Sequence, residues 1–222
     1  MAFVYLVLAI APSPPPVSEF LKALALFIVA CLGIATFGFM LNDLADVEQD
    51  VRNGAYNLLA NTGHGLRVAW LACALLAGIA TWWWLPTTPS VAALVAAEFI
   101  LFILYSVPPF RLKERGIIGL IADALYAYMI PNAFTVLVFS EFCDHSVPTW
   151  IISAILIWSF CFGIGRIFHH QLLDADNDEK EGVRTFVVRL GWVDAFYFLF
   201  AFVSPLVALA FLVLLAAWST IS

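Results

Sequence analysis

Two clusters of acidic residues interrupt an otherwise apolar sequence. The first follows an apolar run and contains Asn42, Asp43, Asp46, Glu48 and Asp50. The second contains Asp174, Asp176, Asp178, Glu179 and Glu181. Together they hold nine of the sixteen acidic residues, so the negative charge is concentrated at two points of the chain. Such concentrations of carboxylates suit the binding of a cation.

The spacing within each cluster indicates a shared helical face. Asn42, Asp46 and Asp50 recur at i, i+4 and i+8, with Asp43 beside them, if the helix continues past the apolar run. Asp174 and Asp178 stand at i, i+4. Like charges at this spacing destabilise a helix by roughly 0.2–0.5 kcal/mol per pair, and a bound cation reverses that sign. Two such patches that faced each other would hold Mg²⁺ ions around a diphosphate; the alternative is a pair of solvated loops.

The elements that carry these clusters are predicted to lie in a membrane. The chain has 222 residues, of which 64% are hydrophobic and only 12% are charged, whereas soluble domains carry about 25% charged residues. Residues 1–222 therefore read as a single transmembrane domain with no room for a large soluble one. The net charge of −6 does not suggest a nucleic-acid-binding protein.

Apolar runs predict an all-α, polytopic helix bundle of about six full spans plus a short N-terminal segment. The spans are expected near 19–41, 66–85, 90–107, 116–140, 148–168 and 192–217. The last span is expected to pack beside the first of these. Residues 1–11 are apolar but would reach only about 16 Å, half a bilayer, and are expected to be the remnant of a longer span.

The distribution of basic residues predicts the orientation of the bundle. Nine of the ten lysines and arginines lie in or beside loops 42–65, 108–115 and 169–191, which alternating spans place on one side. The positive-inside rule makes that side cytoplasmic. Both acidic clusters are expected on the same face.

Several stretches resemble the UbiA superfamily of intramembrane prenyltransferases over about residues 20 to 215. "NDLADVEQD" (42–50) has the form NDxxDxxxD, and "DADND" (174–178) has the form DxxxD. "YSVPPFRLKERGIIG" (105–119) looks like the loop after the family's fourth helix. "HQLLDADNDEKEGVRTFVVRLG" (170–191) looks like the family's second motif with its downstream residues.

The resemblance implies a UbiA-type bundle that transfers a prenyl group from an isoprenyl diphosphate to a lipophilic, aromatic acceptor within the membrane, with Mg²⁺ as cofactor. It implies that Asn42, Asp46 and Asp50 bind one Mg²⁺, with Asp43 adjacent, and that Asp174 and Asp178 bind the other. The implied substrate-binding residues are Tyr105, Arg111, Lys113, Lys180 and Arg184. Tyr126 and Tyr128 could face a carbocation, but they lie on different sides of a regular helix, so at most one is expected to line a cavity.

Departures from the family pattern keep other hypotheses open. The segment "NGAYNLLANTG" (53–63) lacks the basic, Arg-Pro-containing stretch that follows the first motif in many members. The family usually has nine helices. The chain is therefore expected to be a fragment, or a shortened member that self-associates or whose missing helices are supplied by a partner. A catalytically inactive membrane partner is one alternative, and a cation transporter is another. The positive-inside rule alone would also explain Arg111 and Lys113.

Overall fold

The computed structural model describes residues 2–54 and 56–220; the side chains of Ala2, Asn53 and Glu181 lie outside the described part. These residues form a helical bundle without a β-sheet, as predicted. The α-helices are α1 Ala2–Ile10, α2 Val17–Asn53, α3 His64–Ala80, α4 Pro89–Ser106, α5 Ile117–Ala124, α6 Ile130–Phe142, α7 Thr149–Glu181, α8 Phe186–Leu190, α9 Trp192–Phe198 and α10 Ser204–Trp218. Short 3₁₀ turns cover Thr81–Trp83 and Leu112–Glu114.

Six helical segments among the described residues are long and apolar enough to cross a membrane, in agreement with the predicted spans. Two of them are composite, because a π-helical turn continues one helix into the next. Leu125–Met129 joins α5 to α6, and Leu199–Val203 joins α9 to α10. A π-turn inserts one residue into the helical register and is frequent at functional sites.

Helices α2 and α7 are much longer than a membrane crossing requires. They contain 37 and 33 residues, and each carries an acidic cluster on its last turns. Each ends at a glycine in the left-handed conformation, Gly54 at φ 68° and Gly182 at φ 75°. Glycine adopts this conformation without strain and terminates the helix there. The helix therefore continues past Leu41, which was the condition for a shared face of Asn42, Asp46 and Asp50.

Small residues bring α2 and α3 close together. A Cβ added to Gly33 would lie 2.8 Å from Gly78 Cα, so the two backbones meet where neither residue has a side chain. Small residues let membrane helices approach in this way. Helix α1 contributes Val4 and Val7 to the core, where they are fully buried.

The last span packs along α7, where its residues Val203 and Val207 lie against the space left by Gly165. Within the described chain it makes no extensive contact with α2, so the expectation that it lies beside the first full span is wrong. The acidic ends of α2 and α7 are instead connected through α4, α5 and the loops between spans.

These loops are tied to each other at the acidic end of the bundle. Gly116 and Thr185 form an isolated parallel β-bridge. Arg189 Nη2 donates a hydrogen bond to the Glu114 carbonyl oxygen at 2.9 Å. The loop after α4 and the loop after α7 are thus held side by side at the acidic end of the bundle.

Candidate active site

A cavity of about 570 Å³ opens at the acidic end of the bundle between α2, α4, α5 and α7. Asn42 of the first cluster and Asp174 and Asp178 of the second all line it. Asn42 and Gly38 lie four residues apart on α2 and therefore face the same way. Both line the cavity, with Gly38 at the deeper position. The structure therefore brings parts of both predicted motifs to one space.

Basic residues of the loop after α4 neutralise Asp46. Lys113 Nζ donates to Asn42 Oδ1 at 2.9 Å and also forms an ion pair with the Asp46 carboxylate. Arg111 Nη2 lies 3.0 Å from Asp46 Oδ1, and Arg111 pairs with Glu114 as well. The Asp46 side chain is only 13% exposed, so these pairs are better shielded from water than surface ion pairs.

The two cations respond differently to their surroundings. Burial lowers the pKa of Lys113 below its ordinary value, and the ion pair with Asp46 offsets only part of that effect. Burial also acts to lower the pKa of Arg111, but hydrogen bonds and attraction from Glu114 and Asp46 outweigh it, so that pKa is raised. Lys113 therefore depends on Asp46 for its charge more than Arg111 does. Lys113 lines the cavity, whereas Arg111, which also contacts Asp46, is not among the lining residues.

Asn57 secures the rest of the first cluster. Its Nδ2 donates to Asp50 Oδ2 at 2.7 Å and to the Asp43 carbonyl oxygen at 2.7 Å. Its Oδ1 accepts from the backbone N–H of Leu59 at 2.9 Å, and the residue is buried. Asp43 and Asp50 thus face the loop after α2 and are not among the residues that line the cavity.

The second cluster presents a row of oxygen atoms to the cavity. Gln171, Asp174 and Asp178 stand at i, i+3 and i+7 on α7 and all line the cavity. Gln171 Oε1 is buried, with no hydrogen-bond partner among the described residues. His170 Nδ1 lies 2.8 Å from Asp174 Oδ2. Gln171 is not recognisable from the sequence, because a single glutamine beside an acidic motif forms no distinctive pattern.

Aromatic side chains line the deeper part of the cavity. The rings of Tyr105 and Tyr126 meet edge to face with centroids 5.1 Å apart, and the ring centroid of Phe102 lies 4.8 Å from that of Tyr126. Tyr105 donates a hydrogen bond to Asp123 Oδ2 at 3.0 Å. Tyr128 also lines the cavity, contrary to the expectation that at most one of the two tyrosines would. The reason is that the cavity extends from α4 to α7. Tyr126 packs against Phe102 of α4, and Tyr128 packs against Phe162 of α7, so residues on different sides of the helix both reach it.

Two predicted substrate-binding residues lie away from this cavity. Lys180 and Arg184 are not among the residues that line it. The backbone carbonyl oxygen of Arg184 accepts a hydrogen bond from Arg189 Nε at 3.1 Å. Their role in binding therefore stays a prediction.

The donor atoms around the cavity fit a hard cation better than a soft one. Asn42 and Gln171 offer amide oxygens, and Asp174 and Asp178 offer carboxylates. Mg²⁺ prefers such oxygens and usually keeps several waters or substrate phosphates as its other ligands. Among the described residues, no group of three or more His, Cys, Asp or Glu side chains is placed so that it could hold a metal ion by itself.

The profile of the UbiA prenyltransferase family matches residues 1–222. The chain belongs to that family. It is, with its six apolar spans, an integral multi-pass membrane protein. No curated protein matches it significantly.

Solved structures of a UbiA homolog from Archaeoglobus fulgidus share the fold. The structure bound to GPP and Mg²⁺ is 18% identical with a TM-score of 0.67, over 99% of this chain and 74% of that one. The structure bound to DMAPP and Mg²⁺ is 17% identical with a TM-score of 0.65, over 99% and 82% of the two chains. The predicted UbiA-type bundle is therefore confirmed.

Proposed function

We propose that this protein catalyses the Mg²⁺-dependent transfer of a prenyl group from an isoprenyl diphosphate to a lipophilic, aromatic acceptor within the membrane. The observation that carries the proposal is a cavity that Asn42 of the first motif and Asp174 and Asp178 of the second border at one end, and that aromatic rings line at the other. The polar end suits a diphosphate and the aromatic end an apolar tail. The homolog structures that hold GPP or DMAPP together with Mg²⁺ support the same assignment.

In this proposal each motif holds one metal ion. Asn42, Asp46 and Asp50 would hold the first, and Asp174 and Asp178, joined by Gln171, the second. Bound Mg²⁺ supplies the positive charge that stabilises a departing diphosphate. Asp43 supports the first site through its carbonyl bond to Asn57.

Lys113 is the residue that would respond most to the substrate. It lines the cavity and neutralises Asp46. With Mg²⁺ held beside Asp46, the Lys113 ammonium group would be free to bind the diphosphate. Arg111, held by Glu114, stays beside Asp46 and orients it. Positive charge that is fixed in advance where negative charge develops accounts for much of the rate enhancement of many enzymes.

The aromatic end of the cavity would protect the reactive cation. Phe102, Tyr105 and Tyr126 border it, and a prenyl tail packed against these rings would displace water from it. The face of an aromatic ring attracts a cation, so these rings would stabilise positive charge on the prenyl group. Exclusion of water also prevents hydrolysis of the intermediate.

The proposal places the acidic end of the bundle at the cytoplasmic face and includes self-association. Size determination and a turnover assay on the same detergent-solubilised fraction test the latter. We expect turnover to follow the associated fraction. A strictly monomeric fraction with full turnover would exclude any need for self-association.

The experiment that tests the function measures binding and product formation separately. Purified protein is incubated with radiolabelled geranyl or dimethylallyl diphosphate, with Mg²⁺ or with a chelator, and with a panel of phenols. We expect Mg²⁺-dependent binding, and mass spectrometry should then detect a prenylated phenol. Binding without any product would favour an inactive partner protein, and absence of binding would exclude the proposed function.

A further inference from the structure

Asp123 is an acidic group of the cavity that the proposed metal sites do not use. It lies on α5, which begins beside the mouth at Ile117, and is about 9 Å deeper along the helix at 1.5 Å per residue. Tyr105 donates to its Oδ2 at 3.0 Å, and the Tyr126 hydroxyl interacts with both Asp123 and Tyr105. All three side chains line the cavity. A carboxylate fixed by two hydroxyl groups below a diphosphate site is poised to meet the second substrate.

We propose that Asp123 binds the acceptor and that the acceptor is a neutral phenol, whose hydroxyl group donates a hydrogen bond to this carboxylate. The inference rests on the proposed prenyl transfer and names the class of its second substrate. The rings of Tyr105 and Tyr126 offer edges and faces on which an aromatic acceptor packs. The carboxylate, which only accepts hydrogen bonds when ionised, selects a group that donates one.

The charges around the cavity disfavour an acceptor that carries a carboxylate. Lys113 and His170 are the two lysine, arginine or histidine side chains among the described lining residues. Lys113 is engaged by Asn42 and Asp46, and in the proposed function by the diphosphate once that is bound; His170 is engaged by Asp174. An acidic acceptor would therefore face Asp123 without a cation of its own in a space shielded from water, where like charges repel strongly.

Asp123 also completes the proton balance of the transfer. The C–O bond of the prenyl diphosphate breaks, and its electron pair leaves with the diphosphate. The phenol O–H bond breaks, its proton passes to the Asp123 carboxylate, and an electron pair of the resulting phenolate forms the new bond to the prenyl carbon. Attachment at oxygen gives the ether directly, and attachment at a ring carbon gives a dienone that tautomerises to the phenol. Asp123 returns its proton to water when the product leaves.

The first test measures acceptor binding without any turnover. Protein in lipid nanodiscs is equilibrated with radiolabelled para-hexylphenol or para-hexylbenzoate, which differ only in the polar group, and empty nanodiscs give the background. We expect wild type to bind the phenol about tenfold more tightly than the benzoate, as one hydrogen bond to a charged group allows. Asp123→Asn should abolish that preference. Glu98→Gln is the matched control, since Glu98 is buried in α4 and is not among the residues that line the cavity.

The second test adds geranyl diphosphate and Mg²⁺. Asp123→Asn should still bind the diphosphate within about twofold of wild type but transfer the geranyl group to para-hexylphenol about a hundredfold more slowly, as expected for loss of a proton acceptor. An unchanged size-exclusion profile shows that the variant is folded. If Asp123→Asn keeps the phenol preference, or transfers at the wild-type rate, the inference is wrong. If wild type binds no diphosphate, the proposed function fails, while the binding comparison still decides the role of Asp123.

Discussion

If a metal ion were bound at Asp46, it would be the third positive charge beside this carboxylate. Lys113 and Arg111 already neutralise it, and its side chain is 13% exposed. Asp178 lies on the other helix and lines the cavity, whereas Asp46 is not among the lining residues. The two residues belong to different proposed metal sites, so a substitution at one residue alters one site and leaves the other intact.

We expect Asp46→Asn and Asp178→Asn each to lower turnover at least about a hundredfold, because each removes a carboxylate from a different site. Turnover is measured at limiting and at saturating Mg²⁺. Asp144→Asn, the same change in an exposed loop at the other end of the bundle, should have no effect. Near-normal turnover of both motif variants at limiting Mg²⁺ would show that the two-site mechanism is wrong.

Asn57 provides a test of stability at the same scale. Its amide holds Asp50 and the Asp43 carbonyl oxygen, each at 2.7 Å. Asn57→Ala should reduce the free energy of unfolding by about 1–3 kcal/mol, since it leaves partly buried groups unpaired. Asn57→Asp should reduce it further, because a third carboxylate then faces Asp50 and Asp43. Thermal unfolding of the purified protein measures the order.

Asn61 offers the matched control for this series, since it lies in the same loop and is exposed. Asn61→Ala and Asn61→Asp should leave the unfolding temperature within about 1 °C of wild type, as surface substitutions usually do. If Asn57→Asp were as stable as Asn61→Asp, Asn57 would not be holding the acidic residues together.

At the scale of the elements, the contact between α2 and α3 determines where the first motif stands. The backbones meet at Gly33 and Gly78, and a Cβ on Gly33 would meet backbone atoms that cannot rotate away. Gly33→Ala should therefore lower the free energy of unfolding by about 1–3 kcal/mol, the usual effect of overpacking. In thermal unfolding this corresponds to a fall of roughly 2–4 °C for each kcal/mol.

Gly65→Ala is the control for this contact. Gly65 lies in the first turn of α3 with open space around the position of a Cβ. Alanine favours a helix over glycine by about 0.5–1 kcal/mol, so this variant should be as stable as wild type or slightly more stable. A Gly33→Ala protein with wild-type stability would mean that the helices separate without loss.

The sequence predicted the elements better than the contacts between them. Apolar runs indicate spans because length and composition are local properties, and the spacing of Asn42, Asp46 and Asp50 indicated their common face. Asn57 and Gln171 were not identified, because their roles depend on which helix or loop folds back onto them. The cavity borders both α4 and α7, so Tyr128 reaches it as well as Tyr126. That arrangement and the packing of the last span on α7 likewise depend on tertiary structure.

At the scale of the whole molecule, both acidic motifs lie at one end of the bundle. We expect cysteines placed at Asn61 and Asp176 to react with a membrane-impermeant reagent from the cytoplasm, and a cysteine at Thr87 to react from outside. Asn61 and Asp176 are exposed, and Thr87 lies in the short loop before α4. The test requires replacement of the four native cysteines. Labelling of positions 61 and 176 from opposite sides would contradict a shared cavity mouth.

The length of α2 sets the height at which the cavity mouth lies. At 1.5 Å per residue its 37 residues extend about 55 Å, well beyond a hydrocarbon layer of about 30 Å. The acidic turns therefore stand at the level of the lipid headgroups while the aromatic rings lie below them. An amphiphile dissolved in that leaflet presents its charged head at the right height by diffusing sideways. The same molecule in the opposite leaflet would first have to flip its charge across the hydrocarbon, so under the proposed function the protein would draw its substrate from one leaflet.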